Sequence, residues 1–445
     1  MTPRRAAALV GVTVVALLAG LGLKGQCVTH SWTARFEYRH YCYNDIQPLY
    51  YARGLDRHRV PYVDEFVEYP TLTGTEMYLT ALPVASDHSY FWWNAAVLSA
   101  AALVATLALG AATDGSWRVL MFAAAPSLAL YAFHNWDLLA SAALAAGLWL
   151  WRRGRVGGAG AAFGVGAAAK LFPLAALVTG VAALLRARRR RAAGLYAASG
   201  LGVMAAWNVP YALANPSLWA RTYTFHAGRF PDYGTVWFWL WRTLGRPDPG
   251  SWRLLADRAG FVVMGLATVV AVVLQWTRGL PMPAATAVIV AAFLVVTKVH
   301  SPQYALWVLP FLVVVPGSFV LFCIYEAVDI ALYFAGFNWI AQPSFDAESG
   351  WSEIFRAAVL FRAGLLVALG IHFARQSLFA GSPRWALDAE GGSHVHVDDR
   401  RGSAAGFSVT DDRSRRPGAK RREPAAGHGH GVRRPHGKDG RRRRR

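Results

Sequence analysis

The chain has 445 residues, 55% of them apolar or aromatic and only 16% charged, yet its formal net charge is +20. A soluble domain carries about 25% charged residues, and a disordered chain holds far fewer aliphatic and aromatic side chains than this one. Both classes are excluded, and one polytopic membrane protein fits. The charge is uneven: residues 375–445 hold 18 Arg and Lys against eight Asp and Glu, about half of the excess.

A helix needs about 20 apolar residues to cross the hydrocarbon core. The first run, Ala6–Leu23, follows Arg4 and Arg5, so the positive-inside rule puts its start in the cytoplasm. It is long for a signal-peptide core and no A-x-A site follows, so it is expected to stay. Further runs are Phe91–Ala112, Trp117–Phe133, Trp136–Trp151, Val156–Leu185 and Ala192–Leu213. Ala259–Trp276, Met282–Thr297, Gln303–Val315, Ser318–Phe337 and Ile354–Phe373 complete the set. Val156–Leu185 is interrupted at Lys170-Leu171-Phe172-Pro173, where charge and proline disfavour one straight helix, and it reads as a broken pair. The sum is about 12 transmembrane passes with both termini cytoplasmic. Arg152, Arg153, Arg155, Arg186 and Arg188–Arg191 then fall inside.

The expected architecture is an all-α membrane domain over residues 1–375, with a first outer loop at 24–90 and a second at 214–257. Tyr69–Ala85 reads as a helix in or at the interface, because Pro70, Glu76 and Pro83 interrupt it. The second outer loop carries five Arg between residues 216 and 257, an excess that ligand binding would explain. Residues 376–445 are Arg-, Gly- and His-rich and read as a disordered cytoplasmic tail suited to anionic lipid. No specific nucleic acid is implied, and its histidines read as solvated rather than metal-binding.

Unusual polar residues converge on the outer side. The first loop holds Tyr43-Asn44-Asp45 and later Glu68-Tyr69; carboxylates accept from sugar hydroxyls and rings stack on their C–H faces. His134-Asn135-Trp136-Asp137 forms an outer turn, Lys170 marks the helix break, His226 and Arg229 lie in the second loop, and Lys298-Val299-His300-Ser301-Pro302-Gln303-Tyr304 is another outer turn. Charges near hydrocarbon cost about 2.5–3.5 kcal/mol each on insertion scales, so a shared external cavity gives them a reason. Each also has a plainer reading: Asp137 as a helix cap, Lys298 snorkelling to headgroups, the histidines bonded to backbone. Glu326 and Asp329 read as a contact between helices. Cys27 and Cys42, both outside, either close a disulfide or stay free.

At these residues the chain resembles glycosyltransferase family 87, the polyprenol-phosphate-mannose-dependent mannosyltransferases of GT-C fold. The carrying residues are Tyr43-Asn44-Asp45-Ile46, Leu49-Tyr50, Arg53-Gly54-Leu55, Pro61-Tyr62 and Glu68-Tyr69-Pro70-Thr71-Leu72-Thr73-Gly74. Lys170-Leu171-Phe172-Pro173, Ser301-Pro302-Gln303-Tyr304 and Leu309-Pro310 add to them. The resemblance implies a sugar, most simply mannose, on a polyprenyl monophosphate, and an acceptor glycolipid or polysaccharide outside a bacterial cytoplasmic membrane. It also implies Asp45 as the catalytic carboxylate. On chemical grounds His300 is the rival base; Lys170, Arg229 and Lys298 are the cations for the leaving phosphate; Tyr43, Asn44, Glu68, Tyr69, Asn135, Asp137, His226, Gln303 and Tyr304 are candidates for sugar and acceptor. No pattern calls for a metal or other cofactor. The alternative class is a transporter or lipid flippase, for which the Lys170 break and Glu326/Asp329 speak.

Overall fold

The computed structural model describes residues 1–30, 33–343 and 348–376. The chain divides into two units, Met1–Glu390 and Gly391–Arg445; everything below concerns the first, and the expectations for the basic tail lie outside the described residues. Among those residues there is no β-strand, only an isolated bridge between Pro61 and Glu65.

Helix α1 (Pro3–Gly25) starts as its sequence prescribes, with Pro3 in the first turn and Thr2 accepting from the Arg5 amide. The segment 26–86 then contains α2 (Ala34–Arg39), α3 (Ile46–Ala52) and α4 (Thr71–Ala81). Helix α4 falls within the expected stretch 69–85 and is too short to span; its Thr73 hydroxyl donates to the Ala169 carbonyl at 2.8 Å. Next come α5 (Asp87–Ala112), capped by Ser86, then α6 (Leu120–Ala123), α7 (Pro126–Tyr131) and α8 (Asp137–Arg152). The run at 117–133, expected as one helix, is thus broken, because Pro126 lacks the amide an unbroken helix would need there.

The broken pair is α9 (Val156–Ala169) and α10 (Leu174–Arg186), separated by Lys170 in an extended conformation. Helix α9 packs on α11 (Arg190–Ala214) so closely that a Cβ on Gly160 would lie 2.2 Å from the Tyr196 carbonyl oxygen, and one on Gly164 2.4 Å from that of Gly200. Small residues are what allow two backbones to approach this far.

Residues 214–257, read above as a loop, are largely helical: α12 (Pro216–Gly228) is capped by Asn215, and α13 (Val236–Thr243) by Thr235. Helix α14 (Pro249–Arg278) begins ten residues before its apolar run, at the Asp248-Pro249 cap, and ends at Gly279 in the left-handed region (φ 70°). Then follow α15 (Met282–Val296), α16 (Ala305–Val314), α17 (Phe319–Ile340) and α18 (Gly350–Arg375). Among the described residues, five helices are long and apolar enough to cross a membrane, namely α1, α5, α14, α17 and α18, and shorter apolar stretches lie at 117–131, 156–169, 174–186, 282–296 and 302–314. The protein is a multi-pass membrane protein. Glu326 binds the Ser127 amide at 2.8 Å and its hydroxyl at 2.9 Å, so it ties α17 to α7 as a structural contact.

Candidate active site

Asp45 precedes α3, where a carboxylate would ordinarily cap the helix, yet its side chain makes no cap bond. Asn44 does that work instead: its Oδ1 accepts from the Gln47 amide at 3.0 Å, and the side chain is buried. The Asp45 carboxylate is thereby released. Its backbone amide is fixed to the His134 carbonyl at 2.8 Å, which joins the segment before α3 to the turn between α7 and α8.

Three donors meet the carboxylate: Asn135 Nδ2 at 2.6 Å, the Tyr43 hydroxyl at 3.0 Å and the Tyr69 hydroxyl at 3.4 Å. Asn135 cannot turn over, because its Oδ1 accepts from the Trp136 amide at 2.6 Å; its NH₂ faces Asp45 and the Tyr69 oxygen (2.7 Å). Burial raises the Asp45 pKa above the ordinary 3.8, while the Asn135 and Tyr43 bonds and the Lys170 charge pull the other way. Asp45 therefore holds a proton more readily than a surface aspartate does. A disulfide between Cys27 and Cys42, Cα atoms 6.1 Å apart, ties this loop to the end of α1. Buried Lys24 supports it from below, donating to the Tyr43 carbonyl at 2.7 Å and the Tyr333 hydroxyl at 3.0 Å.

Asp45 opens on a cavity of about 1440 Å³. Its wall also contains Tyr43, Glu68, Tyr69, Asn135, Lys170, His226, Arg229, Lys298, His300, Gln303 and Tyr304. Segments far apart in sequence thus meet around one space. Two candidates do not reach it. Asn44 is occupied with its cap, and Asp137 lies fully buried behind the wall, accepting from Trp307 Nε1 at 2.7 Å and pairing with Lys170 at 3.4 Å. Its task is to hold Lys170, whose ammonium lies 4.8 Å from the Tyr69 ring centre and 5.6 Å from that of Tyr304.

The other cations are likewise matched. Arg229 meets Asp232 at 3.0 Å, and Lys298 meets Asp257 at 2.6 Å. Glu68 is bound by Arg53 at 2.7 Å. His300 is buried and neutral: burial, then the charge of Arg362, press its pKa well below the usual value. Its Nδ1 lies 2.9 Å from the Leu294 carbonyl, which can only accept, so Nδ1 carries the proton and Nε2 keeps its lone pair. Among the described residues that Nε2 has no partner.

The cavity also takes in residues that sequence reasoning passed over, notably His134, Tyr38, Asp232, Tyr233, Asp257, Arg258 and Arg362. His134 stood inside a motif already singled out. Arg258 was hidden because α14 runs on through a polar stretch that no apolar run reveals. Among the described residues no group of three or more His, Cys, Asp or Glu is placed to hold a metal ion.

Chemically, the site sets an oriented, proton-seeking carboxylate beside cations, with aromatic rings around it and an apolar flank of Leu171, Leu174, Val178, Met264 and Phe293. The family model described as glycosyltransferase family 87 matches residues 69–302. Among solved structures, the chain is similar to ArnT from Cupriavidus metallidurans bound to undecaprenyl phosphate, at 14% identity and a TM-score of 0.44, over 84% of this chain and 77% of that one. The same protein in the apo state is similar at 17% identity and a TM-score of 0.44, over 83% and 76%. No curated protein matches the chain at a significant level.

Proposed function

Because the chain belongs to glycosyltransferase family 87, we propose that it moves a single sugar, mannose, from a polyprenyl-phosphate donor to a hydroxyl of an envelope glycolipid or polysaccharide. The reaction takes place on the outer face of a bacterial cytoplasmic membrane, in a GT-C architecture of about 12 passes whose ends lie in the cytoplasm. The observation that carries this reading is the placement of Asp45, held by three donors on the wall of the cavity that also takes in Lys170, Arg229 and Lys298.

The acceptor hydroxyl attacks the anomeric carbon and gives its proton to the Asp45 carboxylate. The new C–O bond forms as the bond from the anomeric carbon to the phosphate oxygen breaks, and the polyprenyl phosphate departs with the electron pair. One displacement inverts the centre, so a β-linked donor yields an α-glycoside. General-base assistance of this kind is worth about 10²–10⁴-fold. Charge growing on the leaving phosphate is stabilised by Lys170, Arg229 and Lys298, each exchanging part of its carboxylate partner for phosphate oxygen. Tyr43, Tyr69, Asn135, His226, Gln303 and Tyr304 position the sugars. His300 Nε2, the other acceptor on the wall, binds a sugar hydroxyl rather than taking the reacting proton.

Membranes containing the wild type or Asp45→Asn, supplied with radiolabelled polyprenyl-phosphate-mannose, test the assignment. Transfer should fall by about 10²–10⁴-fold in the variant. Undiminished transfer removes Asp45 from the chemistry, and transfer only from a donor carrying another sugar replaces mannose.

A further inference from the structure

Buried Lys24 spends its three ammonium hydrogens on three acceptors. The Tyr43 carbonyl takes one at 2.7 Å and the Tyr333 oxygen another at 3.0 Å. The Tyr333 hydrogen goes to the Tyr41 carbonyl, so toward Lys24 its oxygen can only accept. The third neighbour is His134 Nδ1 at 3.4 Å. The rings of Tyr333 and Phe337, with centres 5.2 and 5.5 Å from Nζ, favour the cation. Nδ1 of His134 is then the acceptor and Nε2 carries the proton, the reverse of His300. That Nε2 makes no hydrogen bond among the described residues and is not sealed off, and His134 lines the cavity.

We propose that His134 is a binding residue of the site, its Nε2–H donating to the hydroxyl next to the one that attacks, and that Lys24 is the positioning residue that fixes this tautomer. The acceptor is thereby a sugar presenting two adjacent hydroxyls. The proposal rests on the transfer reaction given above and names the group that recognises its acceptor.

Position supports it. The His134 carbonyl holds the Asp45 amide at 2.8 Å, and the next residue, Asn135, donates to the Asp45 carboxylate at 2.6 Å. The Tyr43 ring, 5.5 Å from that of His134, carries a hydroxyl that also donates to Asp45. Tyr131 and Phe337, with ring centres 6.0 and 6.4 Å away, leave the buried imidazole little room to turn. A proton acceptor and an N–H donor with one tyrosine between them suit a pair of hydroxyls. The first gives its proton to Asp45 and the second accepts from His134. A phosphate there would set like charge beside the carboxylate. Burial, then the charge of Lys24, press the His134 pKa well below the usual value, so the imidazole stays neutral and donates from Nε2 alone.

The bland reading is a histidine that only fastens the turn between α7 and α8. Asparagine places an acceptor where Nδ1 stood and removes the outer donor, whereas glutamine restores an N–H at the Nε2 position. Full-length His134→Asn and His134→Gln, each shown by thermal melt to fold, are assayed in membranes that supply the acceptor, at saturating labelled polyprenyl-phosphate-mannose. Donor affinity is measured separately in phosphatidylcholine nanodiscs. His134→Asn should lose about tenfold in transfer with donor affinity unchanged, and His134→Gln should recover most of it. Equal loss in both variants, or none in His134→Asn, overturns the proposal. A parallel loss of donor affinity gives the contact to the donor sugar and overturns it too. Nitrogen-15 histidine spectra of the wild type and His134→Gln, compared by difference, should show the proton on Nε2. A proton on Nδ1, which a neutral Lys24 would produce, overturns the assignment. A wild type that transfers from no polyprenyl-phosphate-linked sugar refutes the donor reading itself, while the spectrum still decides the tautomer.

Discussion

Removing the Tyr43 hydroxyl tests whether Asp45 acts as a base, because its effect has a defined sign. That hydroxyl donates to Asp45 Oδ1 at 3.0 Å and so favours the ionised carboxylate. Tyr43→Phe deletes the bond while Tyr38, stacked on the ring at 4.6 Å and 9°, keeps the ring in place. A hydrogen bond to a charged acceptor is worth about 1.5–3 kcal/mol, and one pKa unit is about 1.36 kcal/mol, so the ceiling is an upward shift of about one to two units. Asp45 is half-buried and cavity water replaces part of the bond, which brings the expectation to about one unit. Burial already holds the group above 3.8. The base works ionised, so transfer is lost as pH falls through this raised pKa, and the variant should lose it at higher pH. The assay is kcat/KM for labelled-sugar transfer against pH, in which the acid limb moves up whatever the height of the plateau above it. An acid limb that stays in place, or moves down, refutes the reasoning.

Two further outcomes follow from the same network. Lys170→Met strands Asp137, which is fully buried, at a cost of the order of 3–5 kcal/mol; adding Asp137→Asn should restore most of the melting temperature and none of the transfer, and restored transfer would show that Lys170 only fills space. The Cys27–Cys42 disulfide spans a sequence separation of 15 and contributes about 3 kcal/mol. Reductant should therefore lower the melting temperature of the wild type and leave that of Cys27→Ser/Cys42→Ser unchanged, a difference read directly by paired melts.

Much of this was legible in the sequence because it was written locally. The apolar runs gave the long helices. Lys170 with Pro173 announced the break that now separates α9 from α10, and the polar turns pointed to a common space. Asp45 stood out as a carboxylate among aromatics. Other features depend on tertiary contact and leave no local trace. Nothing near Asn44 says that it takes over the helix cap and frees its neighbour, or that Asp137 serves Lys170 from behind the wall. The second outer loop read as loop because its apolar content is low, although Asn215-Pro216, Thr235 and Asp248-Pro249 are helix starts that could have been recognised. Missing the last of these concealed Arg258 on the cavity wall.

Phe261 and Leu254 are exposed although they line the cavity, and so are Leu171 and Val178, each 45% accessible. Under the proposed function, the cavity therefore lacks a complete protein enclosure on this flank, and the acyl chains of the bilayer complete it. Solvent exclusion around the donor becomes a joint property of polypeptide and bilayer. Detergent extraction alters a component of the catalyst as well as its surroundings.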